Sequence, residues 1–206
     1  MSSMPVAALP LRHAAAWGRA TRHPFLAAVR DGTVAEPSFE AWLVQDHRFV
    51  SDLLTFQARL LARAPRRVQP VLAGGVAALV DELAWFEEQA AARRLDLAVP
   101  PEPATAAYAD LLAGLDDAEV AVALVALWAI ERVYLDAWSF AAPGAAAYEP
   151  FVAHWTTREF AAYVDDLERA ADAMAPPAAE PGREAAFAAV LDAESRFWAM
   201  ALADQA

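Results

Sequence analysis

The segment Leu127 to Trp138, LWAIERVYLDAW, sets one carboxylate, Glu131, in the middle of an apolar, aromatic run. Residues three and four apart share a helix face, so Glu131 falls in line with Leu127, Trp128, Tyr134, Leu135 and Trp138. An ionised carboxylate taken out of water is costly enough that it is normally paired, protonated or put to chemical use. Two more stripes repeat the arrangement: Phe39, Trp42, Asp46, Phe49 and Leu53, then Val190, Leu191, Glu194, Phe197, Trp198 and Ala201. Three helices that each carry one acid among aromatics predict a single shared pocket. The competing reading is local charge compensation, because Arg48, Arg132 and Arg196 stand one or two residues from Asp46, Glu131 and Glu194.

Other chemistries find less support. The four histidines (His13, His23, His47 and His154) show no metal-ligand spacing, and neither Glu-x-x-His nor His-Glu-x-x-His occurs, so no metal is expected. His23, just ahead of Pro24, reads as a packing or capping residue, and His13 alone is thin evidence for an axial haem ligand. Ser51, Ser139 and Ser195 lack a neighbouring base, and no Gly-x-Ser-x-Gly is present. There is no cysteine, which excludes disulfides, thiolate ligands and a thiol nucleophile, and there is no lysine, which excludes a Schiff base or a P-loop. Tyr134, one turn beyond Glu131, needs a hydroxyl partner if buried and is expected to line a cavity.

The elements that must position these groups are helices. Hydrophobic residues make up 58% of the 206, much of that alanine, with only 7 glycines, a composition that favours helix over sheet. The reading is all-α, one domain, with long amphipathic helices joined by short connections in a bundle. Proline and glycine place the breaks. Helices are expected over 11–20, from Pro24 to the Asp31-Gly32 turn, over 37–63 and 68–94, and after a proline-rich linker at 99–103 over 104–115. Asp116 or Asp117 is the expected cap of the Glu131 helix, which runs to Ala141 before Pro143-Gly144. A short helix over 148–154 and one from a Thr156 or Thr157 cap to Met174 follow. Pro176, Pro177, Pro181 and Gly182 read as the last linker, before a closing helix over 183–203.

A formal net charge of -12 disfavours nucleic acid and anionic membranes as partners, leaving a small molecule or a protein. No apolar run of about 18 residues or more occurs, and the first ten residues lack the features of a secretory signal. The expected compartment is the cytoplasm.

With these residues the chain resembles the TenA family of thiaminase-II-like proteins, which share a haem-oxygenase-like helical bundle. The matching pieces are HPF at His23 to Phe25, WLVQDHRFV from Trp42, and TAAY ending at Tyr108. After them come LWAIERVYLDAW, FVAHWTTREF from Phe151 and ESRFWAM from Glu194, all in the family's order. The better-known branch carries a cysteine where this chain has Ile130 and Glu131. The resemblance is therefore to the cysteine-less branch, whose hallmark is a glutamate on that helix, and a covalent thiaminase route through a thiol is not available here.

The resemblance implies roles residue by residue. Asp46 corresponds to the aspartate that grips the amino-pyrimidine ring, Tyr108 to a tyrosine that lines or stacks on the ring site, and Glu194 to a terminal-helix catalytic glutamate. Glu131 takes the acidic role of its helix, with Tyr134 beside it. Phe49 and Trp155 stand at positions where many members have tyrosine, which makes a drier pocket. The implied activity is hydrolysis of aminomethyl- or formylaminomethyl-4-amino-pyrimidines in thiamin salvage, with no cofactor. Glu194 is expected to donate and accept the proton and Glu131 to position or activate water, or the reverse. Self-association into a homo-oligomer, dimer or tetramer, is also implied. Two other classes compete: a haem- or di-metal-binding oxidase of the same fold, and a non-catalytic ligand-binding regulator.

Overall fold

The computed structural model describes residues 4–202, and all regular structure among them is helical. The chain folds into two compact units, one of the N-terminal segment to Val34 with Glu119–Ala199, the other built on Ala35–Ala118.

The second unit holds three helices, α4 (Glu36–Arg63), α5 (Gln69–Arg93) and α6 (Pro103–Leu115). Each has proline in its first turn, where a missing N–H costs nothing. Ala64 closes α4 with ψ 147° because the residue before a proline is driven out of the helical region. α4 packs on both α5 and α6. Phe56, Leu60, Leu72 and Phe86 are buried in this core, and the buried Gln57 donates from Nε2 to the Leu72 carbonyl at 3.0 Å. Arg63 donates to the Leu115 carbonyl at 2.9 Å and also to that of Ala118, tying the end of α4 to the end of α6 and the turn beyond it.

The first unit holds α1 (Leu9–Arg12), α2 (Ala14–Thr21), α3 (Pro24–Asp31), α7 (Val120–Ala141), α8 (Glu149–His154), α9 (Arg158–Ala173) and α10 (Glu180–Met200). α7 is apolar on nearly every side, and α2, α3 and α9 pack against it. A helix hydrophobic all round must be enclosed by others, and this one is. The side chain of Thr157 caps α9 by accepting from Phe160 N at 3.1 Å. His23 caps α3, its Nδ1 accepting from Phe25 N at 3.2 Å, and burial lowers its pKa.

Three boundaries differ from the sequence reading. The first helix is broken at His13, whose φ of -109° and ψ of 31° are not helical. α7 begins after Glu119, while Asp116 makes an ion pair with Arg59 instead of capping. α10 begins at Glu180, so Pro181 and Gly182 belong to its first turn, where proline needs no donor. A Cβ on Gly182 would come within 3.0 Å of Val122 Cγ2, so glycine there lets α10 approach the start of α7. Ala203, the expected end of the closing helix, lies outside the described residues.

Candidate functional site

In the first unit, α7 carries Glu131, 7% exposed, and α10 carries Glu194, 2% exposed. Both acids are thus buried, as their place in apolar stripes requires. The arginines beside them turn elsewhere: Arg132 pairs with Asp136 at 3.1 Å and Arg196 with Asp192 at 2.7 Å, each one turn away on its own helix. Burial raises the Asp136 carboxyl pKa, and Arg132 offsets part of that rise.

Aromatic rings of this unit pack against one another. Tyr134 lies edge-on to Trp155 at 5.7 Å between centroids and is stacked with Trp198 at 6.1 Å. Trp155 packs on Trp138 at 4.4 Å and near Phe151 at 5.9 Å, while Trp198 stacks with Phe25 at 5.9 Å. Tyr134 and Trp155, which stand in separate sequence motifs, are therefore neighbours. Trp155 brings a wide apolar face to this cluster.

In the second unit, Asp46 lies on α4 with no exposed surface, and Phe49 stands one turn later, 5% exposed. The Phe49 ring meets Tyr108 of α6 at 4.6 Å between centroids, tilted by 42°. An acid followed one turn later by paired rings suits a flat, nitrogen-rich heterocycle, which takes a carboxylate at its amidine edge and aromatic faces beside it. Arg48 donates to the Leu97 carbonyl at 3.3 Å.

Gln45, to which sequence reasoning assigns no role, organises this part. Its side chain is 4% exposed; Oε1 accepts from Thr105 Oγ1 at 2.7 Å and from Glu102 N at 2.9 Å, and Nε2 donates to the Pro100 carbonyl at 3.2 Å. One amide thereby fixes the 100–105 segment to α4, and with it the start of the helix that bears Tyr108. The available signal is a glutamine next to Asp46 within a largely apolar run. Trp138, Trp198 and Phe25 likewise belong to an aromatic cluster that their motifs alone do not specify.

His13, weighed as a haem ligand, has its Nε2 3.0 Å from Glu184 Oε1. Among the described residues no three His, Asp or Glu side chains are grouped as a metal ion requires, and no helix is long and apolar enough to cross a membrane.

Known proteins share both this fold and this sequence pattern. The model of the TENA/THI-4/PQQC family matches residues 11–204. The chain is 32% identical to the probable bifunctional TENA-E protein of Glycine max, over 92% of this chain and 89% of that protein. A TenA homologue from Pyrococcus furiosus superimposes with a TM-score of 0.91 at 26% identity, covering 96% of this chain and all of that one. A TenA family transcription regulator from Silicibacter has the same fold, with a TM-score of 0.86 at 18% identity and coverage of 98% and 97%. The expected all-α, haem-oxygenase-like helical fold is the one observed.

Proposed function

Because this chain belongs to the TENA/THI-4/PQQC family, we propose that it is a salvage hydrolase that cleaves a carbon–nitrogen bond of an aminomethyl- or formylaminomethyl-4-amino-pyrimidine derived from thiamin. The observation that carries this reading is the burial of Asp46, Glu131 and Glu194, at 0%, 7% and 2% exposure, in a chain without cysteine. Buried carboxylates on helices rich in aromatic residues can run proton-transfer chemistry without a thiol. The family match extends across both compact units, which supports treating residues 11–204 as one functional domain.

In this mechanism Asp46 accepts hydrogen bonds from the amidine edge of the ring, and the touching rings of Phe49 and Tyr108 offer it one shared aromatic surface. The charge on Asp46 favours a protonated ring and so a more electrophilic exocyclic carbon. Glu131, as its carboxylate, takes a proton from water as the new carbon–oxygen bond forms. The carbon–nitrogen bond breaks with its electron pair on nitrogen, and Glu194, as the acid, protonates the departing amine. The two glutamates can also exchange these tasks, since neighbouring carboxylates in a dry site disfavour each other's ionisation. With a formylated substrate the same water attack at the formyl carbon releases formate. Tyr134 holds one of the glutamates, and Trp155 excludes water.

The test is direct: purified protein is given aminomethyl- and formylaminomethyl-pyrimidine, and hydroxymethyl-pyrimidine, free amine and formate are measured. Absence of turnover with retained pyrimidine binding would turn the reading toward a ligand-binding regulator.

A further inference from the structure

A second face of α4 lines a separate, half-open cavity of about 420 Å³ within the second unit. His47, Arg48, Ser51 and Asp52 form its α4 wall, a set that recurs once per turn and points away from the stripe of Asp46, Phe49 and Leu53. The opposite wall is α6, from Thr105 to Asp110, and Leu97 closes one side. The volume suits a small metabolite, since ligand pockets span roughly 300–1,000 Å³.

The polar groups of this cavity are incompletely used. Arg48 gives one Nη to the Leu97 carbonyl, but its buried Nε has no hydrogen-bond partner among the described residues. The buried Nδ1 of His47 is in the same condition. Asp52 is half-buried, and burial raises its carboxyl pKa while Arg48 opposes the rise only in part. Arg48 and Asp52 stand one turn apart and are not joined in an ion pair, although such a spacing permits one. Burial also holds His47 toward its neutral form. Asp52, Asp110 and Arg48 line the same cavity, so carboxylates outnumber the guanidinium two to one and a bare anion is disfavoured. A molecule carrying both an ammonium and a carboxylate matches the two signs of charge that Asp52, Asp110 and Arg48 bring to this cavity.

We propose that this α4/α6 cavity is a second ligand site, for a small zwitterionic amino acid whose carboxylate is received by Arg48 and whose ammonium is received by Asp52 and Asp110. The site is independent of the hydrolase reading, and its readout is binding rather than turnover. Charge-assisted hydrogen bonds of this kind give affinity through both ends of the ligand at once, so neither end suffices alone.

Thermal unfolding and titration calorimetry of the full chain with L-alanine, ethylamine and propionate test it. Millimolar L-alanine is expected to raise Tm, with ethylamine and propionate giving no comparable shift. Arg48→Gln and Asp52→Asn are each expected to weaken L-alanine binding about tenfold or more, the usual effect of removing one charged partner. Asp110→Asn, at an exposed position, is the second variant should either of those fail to fold, and it too is expected to weaken binding. No shift with L-alanine, an equal shift with either single-charge probe, or undiminished binding in folded variants overturns the proposal.

Discussion

The rings of Phe49 and Tyr108 meet at 4.6 Å between centroids, joining the helix that bears Asp46 to α6. Both are buried, so each ring contributes to packing as well as to the ring-binding surface assigned to it. Phe49→Ala and Tyr108→Ala are each expected to destabilise the fold by about 3–5 kcal/mol, the usual cost of emptying a buried aromatic site. A double-mutant cycle should return a coupling of about 0.5–1.5 kcal/mol, beyond the area each ring buries. Urea unfolding of the two single variants and the double variant measures it, and strict additivity would deny that the contact matters.

Gln45 positions Tyr108 indirectly, by binding Glu102 N, Thr105 Oγ1 and the Pro100 carbonyl. Gln45→Leu leaves those groups without their partner, at about 1–3 kcal/mol for each one that water does not reach. The variant should show a lower Tm and a raised KM for the pyrimidine with a smaller change in kcat. Gln45→Glu keeps an acceptor for Thr105 and Glu102 and should recover part of both. Equal loss in KM and kcat, without rescue, would mark Gln45 as a structural residue only.

Gly32 closes α3 at φ 69°, and a Cβ there would come within 2.8 Å of Ala145 Cβ. Left-handed backbone and crowding act together at this position. Gly32→Ala is expected to cost more than about 1 kcal/mol, read as a lower urea midpoint, whereas Gly18→Ala, with open space around it, should not lower stability.

The acid side of the stability profile should report His47. Burial lowers its pKa below the ordinary value of about 6.5; Glu87 on α5 raises it in part, and Arg48 on its own helix lowers it further. Asp52 and Asp110 line the same cavity. A depressed folded-state pKa means that the unfolded chain takes up the proton first as pH falls. Stability from His47 is therefore complete above about pH 6.5 and is lost as pH drops through the folded value. Asp52 acts with the opposite sign, since its raised pKa makes its contribution greatest when protonated and lost as pH rises through the folded value. His47→Gln should flatten the decline between neutral and mildly acidic pH, measured by urea unfolding at several pH values. A decline identical to that of the parent protein would show that another group governs it.

Much of this is legible in the order of residues, and the parts that are not share a physical cause. Periodicity alone puts Asp46, Glu131 and Glu194 on apolar helix faces, and all three are buried. Proline marks the first turns of α3, α4 and α5 for the same local reason. Pro181 escapes that logic because a proline inside a first turn and a proline in a linker look alike in sequence. Gln45 and Arg48 give no sign of their contacts, since apart from Thr105 Oγ1 their hydrogen-bond partners are backbone carbonyls and an amide some fifty residues on, groups that nearly every residue carries. Asp116 has the sequence surroundings of a cap, yet its partner, Arg59, comes from another helix.

The buried acids carry the remaining prediction. If Glu131 and Glu194 move protons, replacing either carboxyl by an amide removes the transfer but keeps size and most polarity. Glu131→Gln and Glu194→Gln should each lower kcat by about 10² to 10⁴, the ordinary range for a general acid or base, with pyrimidine affinity retained. Asp46→Asn should act on binding instead, raising KM through loss of a charge-assisted hydrogen bond to the ring. Compensation by the adjacent arginines is not an adequate account of the two glutamates, because Arg132 and Arg196 pair with Asp136 and Asp192. Steady-state kinetics together with calorimetric binding of the pyrimidine separates the two kinds of effect. Normal turnover in all three variants would remove Asp46, Glu131 and Glu194 from the mechanism and leave their burial to be explained by structure alone.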